Sequence, residues 1–143
     1  MRIMAIDYGD AHTGVAISDQ TGLLAGYTTT LHTRKQEAVV EGIGKLIGEY
    51  GVEEQVLGYP KNMDGTLGPR AEKAERFAAA LQERFQLEVH LWDERRTTID
   101  AHNILAAAGK NAKKRKQTVD AVAAALILEG YLTFLRSRGQ RGR

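Results

Sequence analysis

Apolar residues recur along this chain in two rhythms. Ile3-Met4-Ala5-Ile6 is an unbroken apolar run closed by Asp7, as expected of a central strand covered on both faces. Thr13 to Ser18 and Leu23 to Leu31 read as two further strands. Asp19-Gln20-Thr21-Gly22 between them has turn composition, so the first three strands form an antiparallel meander. The period then becomes helical: Val39, Ile43, Leu46, Ile47 and Tyr50 share a stripe that Gly51 stops. Val56 to Tyr59 is a short strand ended by Pro60. Pro69 opens a second helix, where its missing N–H costs nothing, and Ala74, Phe77, Ala78, Leu81 and Phe85 give that helix its buried stripe. Leu87 to Trp92 is a fifth strand, Ile99 to Ala108 a helix ending at Gly109, and about Thr118 to Leu135 a final helix.

Two successive strand–helix–strand crossovers make strands one, four and five parallel, because such connections are right-handed and return the chain in the same direction. The class is therefore α/β: a mixed five-stranded sheet, antiparallel over strands 1–3 and parallel over strands 1, 4 and 5, with flanking helices. It forms one domain over 1–136, followed by a basic tail over 137–143. The carboxyl ends of the parallel strands share one edge, where open α/β sheets place their sites. Asp7, the turn Gly58-Tyr59-Pro60-Lys61 and Glu94 fall on that edge. Asp120 lies on one stripe with Ala124, Ile127 and Tyr131, so a last helix laid across the sheet brings it to the same edge.

Composition narrows the setting. A chain of 143 residues with 27% charged side chains can bury one core under a wet surface. The absence of cysteine excludes disulfides and thiolate zinc sites. No apolar run approaches the roughly 20 residues that span a bilayer, and no secretory signal opens the chain, so the expected location is cytoplasmic, with no membrane partner. Net charge is only +2, but its distribution is uneven. Lys110, Lys113, Lys114, Arg115 and Lys116 cluster ahead of Asp120, and Arg136, Arg138, Arg141 and Arg143 close the chain. Both clusters attract phosphate backbone; the alternative is a solvated loop and tail.

Three carboxylates at element ends, Asp7, Glu94 and Asp120, make a hard, oxygen-rich set suited to Mg²⁺ or Mn²⁺. Each has a plainer reading. Asp7 can shape the Tyr8-Gly9-Asp10 turn, Glu94 can pair with Arg95 or Lys110, and Asp120 can complement a helix dipole behind a Thr118 cap. An ionised group directly after Ile3 to Ile6 is partly desolvated, however, and needs compensation. Arg95 has the fork geometry for a phosphate, with an ion pair to Asp93 as its alternative. Lys61, Asn62 and Arg70 flank a glycine-containing loop, 61–68, placed to touch a nucleic-acid backbone or simply to be surface.

These residues reach a known family. Asp7-Tyr8-Gly9 with Gly14-Val15-Ala16, then Gly58-Tyr59-Pro60-Lys61-Asn62-Met63-Asp64-Gly65-Thr66, then Asp93-Glu94-Arg95, and finally Val119-Asp120-Ala121 with Ala123-Ala124 closely resemble the YqgF family. The resemblance runs from Ile3 to about Leu135. It implies an RNase H-like fold and a divalent-metal-dependent nuclease in which Asp7, Glu94 and Asp120 are both the metal ligands and the catalytic set. The substrate contacts read from charge and placement are Arg95, Lys61, Asn62, Arg70, Lys113, Lys114 and Arg115. The implied activity is 5′-end processing of the 16S rRNA precursor by a monomer or homodimer. Two alternatives stay open: a Holliday-junction-resolvase-like endonuclease acting on branched DNA, and a nucleic-acid-binding assembly factor that does not cut. The chain departs from the family pattern in two places. Asp10-Ala11-His12-Thr13 stands where members carry a basic residue, which leaves His12 as a pH-dependent substitute, and Arg96 takes an apolar position.

Overall fold

The structure, a computed structural model, describes residues 2–19, 25–60, 67–93 and 112–142, the last segment with side chains at 121–137. Its elements run β1 (Arg2–Asp7), β2 (His12–Ser18), β3 (Ala25–His32), α1 (Gln36–Tyr50), β4 (Val52–Tyr59), α2 (Pro69–Phe85), β5 (Val89–Asp93) and α3 (Ala112–Gly142). The sheet has five strands in the order β3-β2-β1-β4-β5. β1 pairs antiparallel with β2 and β2 with β3, whereas β1–β4 and β4–β5 are parallel. This is the mixed sheet that the hydrophobic rhythms predict, with β1 at its centre.

Alternation along β1 separates two cores. Met4 and Ile6 point to one face, where Val15, Ile17 and Leu57 join Val39 and Ile43 of α1 and Ala74, Phe77 and Leu81 of α2. Ile3 and Ala5 point to the other, where Ala16 and Val56 meet Ala124, Ile127, Leu128, Tyr131 and Leu132 of α3. One helix therefore covers the second face. The small Ala123 and Ala124, both buried, let α3 lie close to the strands. Where α3 passes Trp92 the helix carries Gly130; a Cβ there would sit 3.2 Å from the indole.

Helix ends follow the sequence. Gly51 takes the left-handed conformation (φ 65°, ψ 45°) after α1 and donates its N–H to the Ile47 carbonyl, and Pro69 occupies the first turn of α2. The largest departures from the expected boundaries are in β4 and α3, while β5 runs Val89–Asp93 rather than Leu87 to Trp92. β4 begins at Val52 rather than Val56, because the polar Glu53-Glu54-Gln55 stretch joins the parallel ladder beside β1. α3 begins at Ala112 and runs to Gly142, so Thr118 lies inside the helix rather than at its cap, and most of the basic tail is helical. Lysine and arginine are good helix formers without apolar periodicity, which is why a charged run concealed a helix. The helix expected over Ile99 to Ala108 and the turn over 19–22, apart from Asp19, lie outside the described residues.

Candidate functional site

Register fixes one row across the sheet. Ile6 is abreast of Leu57 and Leu57 of Leu91, so the next step brings Asp7, Gly58 and Trp92 level at the carboxyl ends of β1, β4 and β5. By alternation Asp7 falls on the face of Ile3 and Ala5, the face that α3 covers. It is half-buried, at the end of a strand whose four preceding residues are buried, and has partners of its own. Among the sequence-predicted acidic set, Asp7 is placed at this edge. Asp120 lies in α3, one turn before the fully buried Ala124; Glu94 and the side chain of Asp120 lie outside the described residues, as do Arg95, Lys61 and Asn62 and the side chains of Lys113, Lys114 and Arg115.

The turn after β1 is built for close approach. A Cβ on Gly9 would stand 2.3 Å from the His12 carbonyl oxygen, so only glycine fits. Tyr8 stacks on Phe77 of α2, ring centroids 3.8 Å apart and nearly parallel, tying the turn to that helix. Lys73 lies 5.3 Å above the same Tyr8 ring and 2.5 Å from the Asp10 carboxylate. The Lys73 hydrogen bond, and then its charge, hold the Asp10 carboxyl below the usual carboxylate range. Together Tyr8, Gly9, Asp10, Gly58, Pro60 and Ala74 line a small recess that also holds Arg70 and Lys73. Arg70, read from the sequence as a flank of the loop 61–68, lines this recess; Lys73 was missed, although its spacing from Arg70 puts both on one face of the first turns of α2.

Two other polar groups flank the edge. His12 and His32 face each other across β2 and β3 with their Nδ1 atoms 2.9 Å apart. Tyr59, the last residue of β4, donates its hydroxyl to Glu75 at 3.1 Å, and burial, followed by that carboxylate, raises its pKa.

A third group lies at the opposite edge. Glu54 near the start of β4, Glu88 just ahead of β5, and His90 within it bring three ligand-type atoms within 4.8 Å of one another, the one such group among the described residues. Sequence reasoning did not find it. The signal was the alternation of Glu88 and His90, which places both on one side of a strand.

Known proteins align with the chain closely. Residues 1–134 match the family described as "RuvX: Holliday junction resolvase". A protein of Halothermothrix orenii named "Putative pre-16S rRNA nuclease" is 48% identical over 134 residues, covering 94% of this chain and 96% of its own. A Geobacillus kaustophilus protein of the same name is 48% identical over 138 residues, covering 95% of this chain and 100% of its own. Among solved structures, fowlpox virus resolvase with Holliday junction DNA superposes with a TM-score of 0.61 at 14% identity, over 94% of this chain and 99% of that one. T. thermophilus RuvC with a Holliday junction superposes with a TM-score of 0.58 at 16% identity, over 89% and 91%. At such identities the two superpositions show a shared RNase H-like resolvase fold.

Proposed function

The chain belongs to the YqgF/RuvX family, and from that membership we propose that it is a divalent-metal-dependent nuclease that trims the 5′ end of the 16S rRNA precursor. The observation that carries the reading is the position of Asp7: a half-buried carboxylate at the carboxyl end of the central strand, on the face covered by α3. A carboxylate so desolvated is suited to a cation. Asp7, Glu94 and Asp120 would hold the ion, which would supply an activated water and neutralise charge on the phosphate and the leaving oxygen.

The chain's own architecture supports that grouping. Trp92, two residues before Glu94 in the sequence, faces α3. Tyr131 of α3 meets Glu54, and from Tyr131 back to Asp120 is about 16 Å of helix at 1.5 Å per residue. Glu54 to Gly58 is about 13 Å along β4, so the helix is long enough to carry Asp120 level with Asp7. Arg70 and Lys73 line the recess at the turn that follows Asp7, on the side of the sheet that α2 covers, and would offer positive charge to a phosphate backbone passing that edge. Arg95, Lys61, Asn62, Lys113, Lys114 and Arg115 would extend that track.

The test is a side-by-side assay of a 5′-extended 16S rRNA precursor and a four-way DNA junction, with Mg²⁺ or Mn²⁺. The expected outcome is that wild type cleaves the precursor, while Asp7→Asn loses at least about a hundredfold in rate and still binds RNA. Equal cleavage by wild type and Asp7→Asn would leave the protein as a binding factor. Preference for the junction would move the substrate to branched DNA.

A further inference from the structure

From the group at the amino-terminal edge of the sheet we propose a second metal site, separate from the nuclease centre, in which Glu54, Glu88 and His90 bind a first-row transition ion of the Zn²⁺ or Co²⁺ type. Three observations converge on it. His90 Nε2 lies 2.7 Å from Glu54 Oε1 and 3.5 Å from Glu88 Oε2. Ligand atoms about 2.0–2.2 Å from a tetrahedral ion stand roughly 3.3–3.6 Å from each other, so these atoms need shifts of less than about 1 Å to enclose one. Although two carboxylates are that near, Nε2 is shielded from solvent and makes no directed hydrogen bond. Proximity without alignment suits a nitrogen whose lone pair, rather than an N–H, faces the oxygens, with the ring proton on Nδ1.

The surroundings hold the set in place. Tyr131 donates its hydroxyl to Glu54 Oε1 at 2.9 Å, the orienting bond that ligating carboxylates commonly receive, and its ring lies 5.5 Å from that of His90. The Glu88 carbonyl accepts the Gln55 N–H at 3.0 Å, which fixes Glu88 at the head of β5. An imidazole among the ligands favours Zn²⁺ or Co²⁺ over Mg²⁺, whereas the all-oxygen set around Asp7 has the opposite preference. The two places are also apart: Glu54 is abreast of Ile3, and from Ile3 to Asp7 is about 13 Å of strand.

Co²⁺ titration of the tag-free chain, followed by visible absorption, tests the site. Wild type should develop the absorption bands of one tetrahedral Co²⁺, whatever further ions the oxygen set around Asp7 takes up. Asp7→Asn and His32→Gln should bind within about twofold of wild type, since they alter the nuclease edge and the other imidazole pair. Glu88→Gln, at a side chain that is 73% exposed and so safe for folding, and His90→Gln should each weaken binding at least about tenfold. Zn²⁺ should raise the melting temperature of wild type but not of Glu88→Gln. Absence of the tetrahedral bands from wild type would make the cluster an ordinary polar contact of His90 with two glutamates. Loss in Asp7→Asn or His32→Gln instead would move the ion elsewhere. Either result overturns the site, and neither bears on cleavage by the Asp7 edge.

Discussion

Asp10 carries the first consequence at the residue scale, because its carboxylate occupies Lys73. The pair is exposed, Asp10 at 83%, so its contribution to folding is small and salt-screened. What contribution exists has a definite sign. A carboxyl whose folded pKa is lowered stabilises the fold above its unfolded value, and that stabilisation is lost as pH falls through the lowered value. Under the proposed function, Asp10→Asn should free Lys73, tighten RNA binding and steepen the log–log salt dependence by less than about one unit. An unchanged slope would show that Lys73 faces no phosphate. Gln55 gives the second case. It is 0% exposed, with neither amide atom hydrogen-bonded. Replacing an unsatisfied buried amide by an apolar side chain of similar shape removes a penalty of about 1–2 kcal/mol. Gln55→Met should therefore melt roughly 3–8 °C higher. A lower melting point would mean that the amide has a buried water as partner.

At the scale of elements, Gly51 shows how local chemistry sets a boundary. A Cβ there would meet nothing within 4 Å, so Gly51→Ala should cost about 1 kcal/mol in denaturant unfolding through its left-handed backbone alone, and Gly51→Asn less. That helix end was legible, as were the five strands, their pairing and the crossovers, because each rests on apolar period, glycine or proline. Charge hid the rest. Glu53-Glu54-Gln55 concealed the first half of β4, whose polar side chains are accommodated by Tyr131 and His90 or buried outright. The lysines of 113–116 concealed the start of α3. Within the site, Asp7 was legible as a charge ending a buried strand. Lys73 was not, since nothing in a helical lysine announces that a turn from another element will meet it. The Glu54, Glu88 and His90 group was still less visible, because it exists only through the β4–β5 register that sets Val56 beside His90.

The molecule as a whole responds to alkali through two tyrosines. Tyr50 at the end of α1 and Tyr59 at the end of β4 both have pKa values raised above the ordinary 10.0, burial being the first cause in each. The folded state then holds these protons more tightly than the unfolded chain. Stability is intact below about pH 10 and falls as pH rises toward the folded values. Denaturant midpoints measured from pH 8 to 11 should decline, and Tyr59→Phe should flatten the decline at the cost of its bond to Glu75. α3 has a broader consequence. A long rod seated through Ala124, Ile127, Leu128 and Tyr131 fixes the bearing of the backbone it carries toward the sheet edge, since a helix transmits rotation along its axis. Aim is thus inherited from seating. Under the proposed nuclease function, a bulkier residue such as Leu at Ala124 should blunt turnover further than the folded fraction accounts for, because it would swing the muzzle as well as loosen the mount.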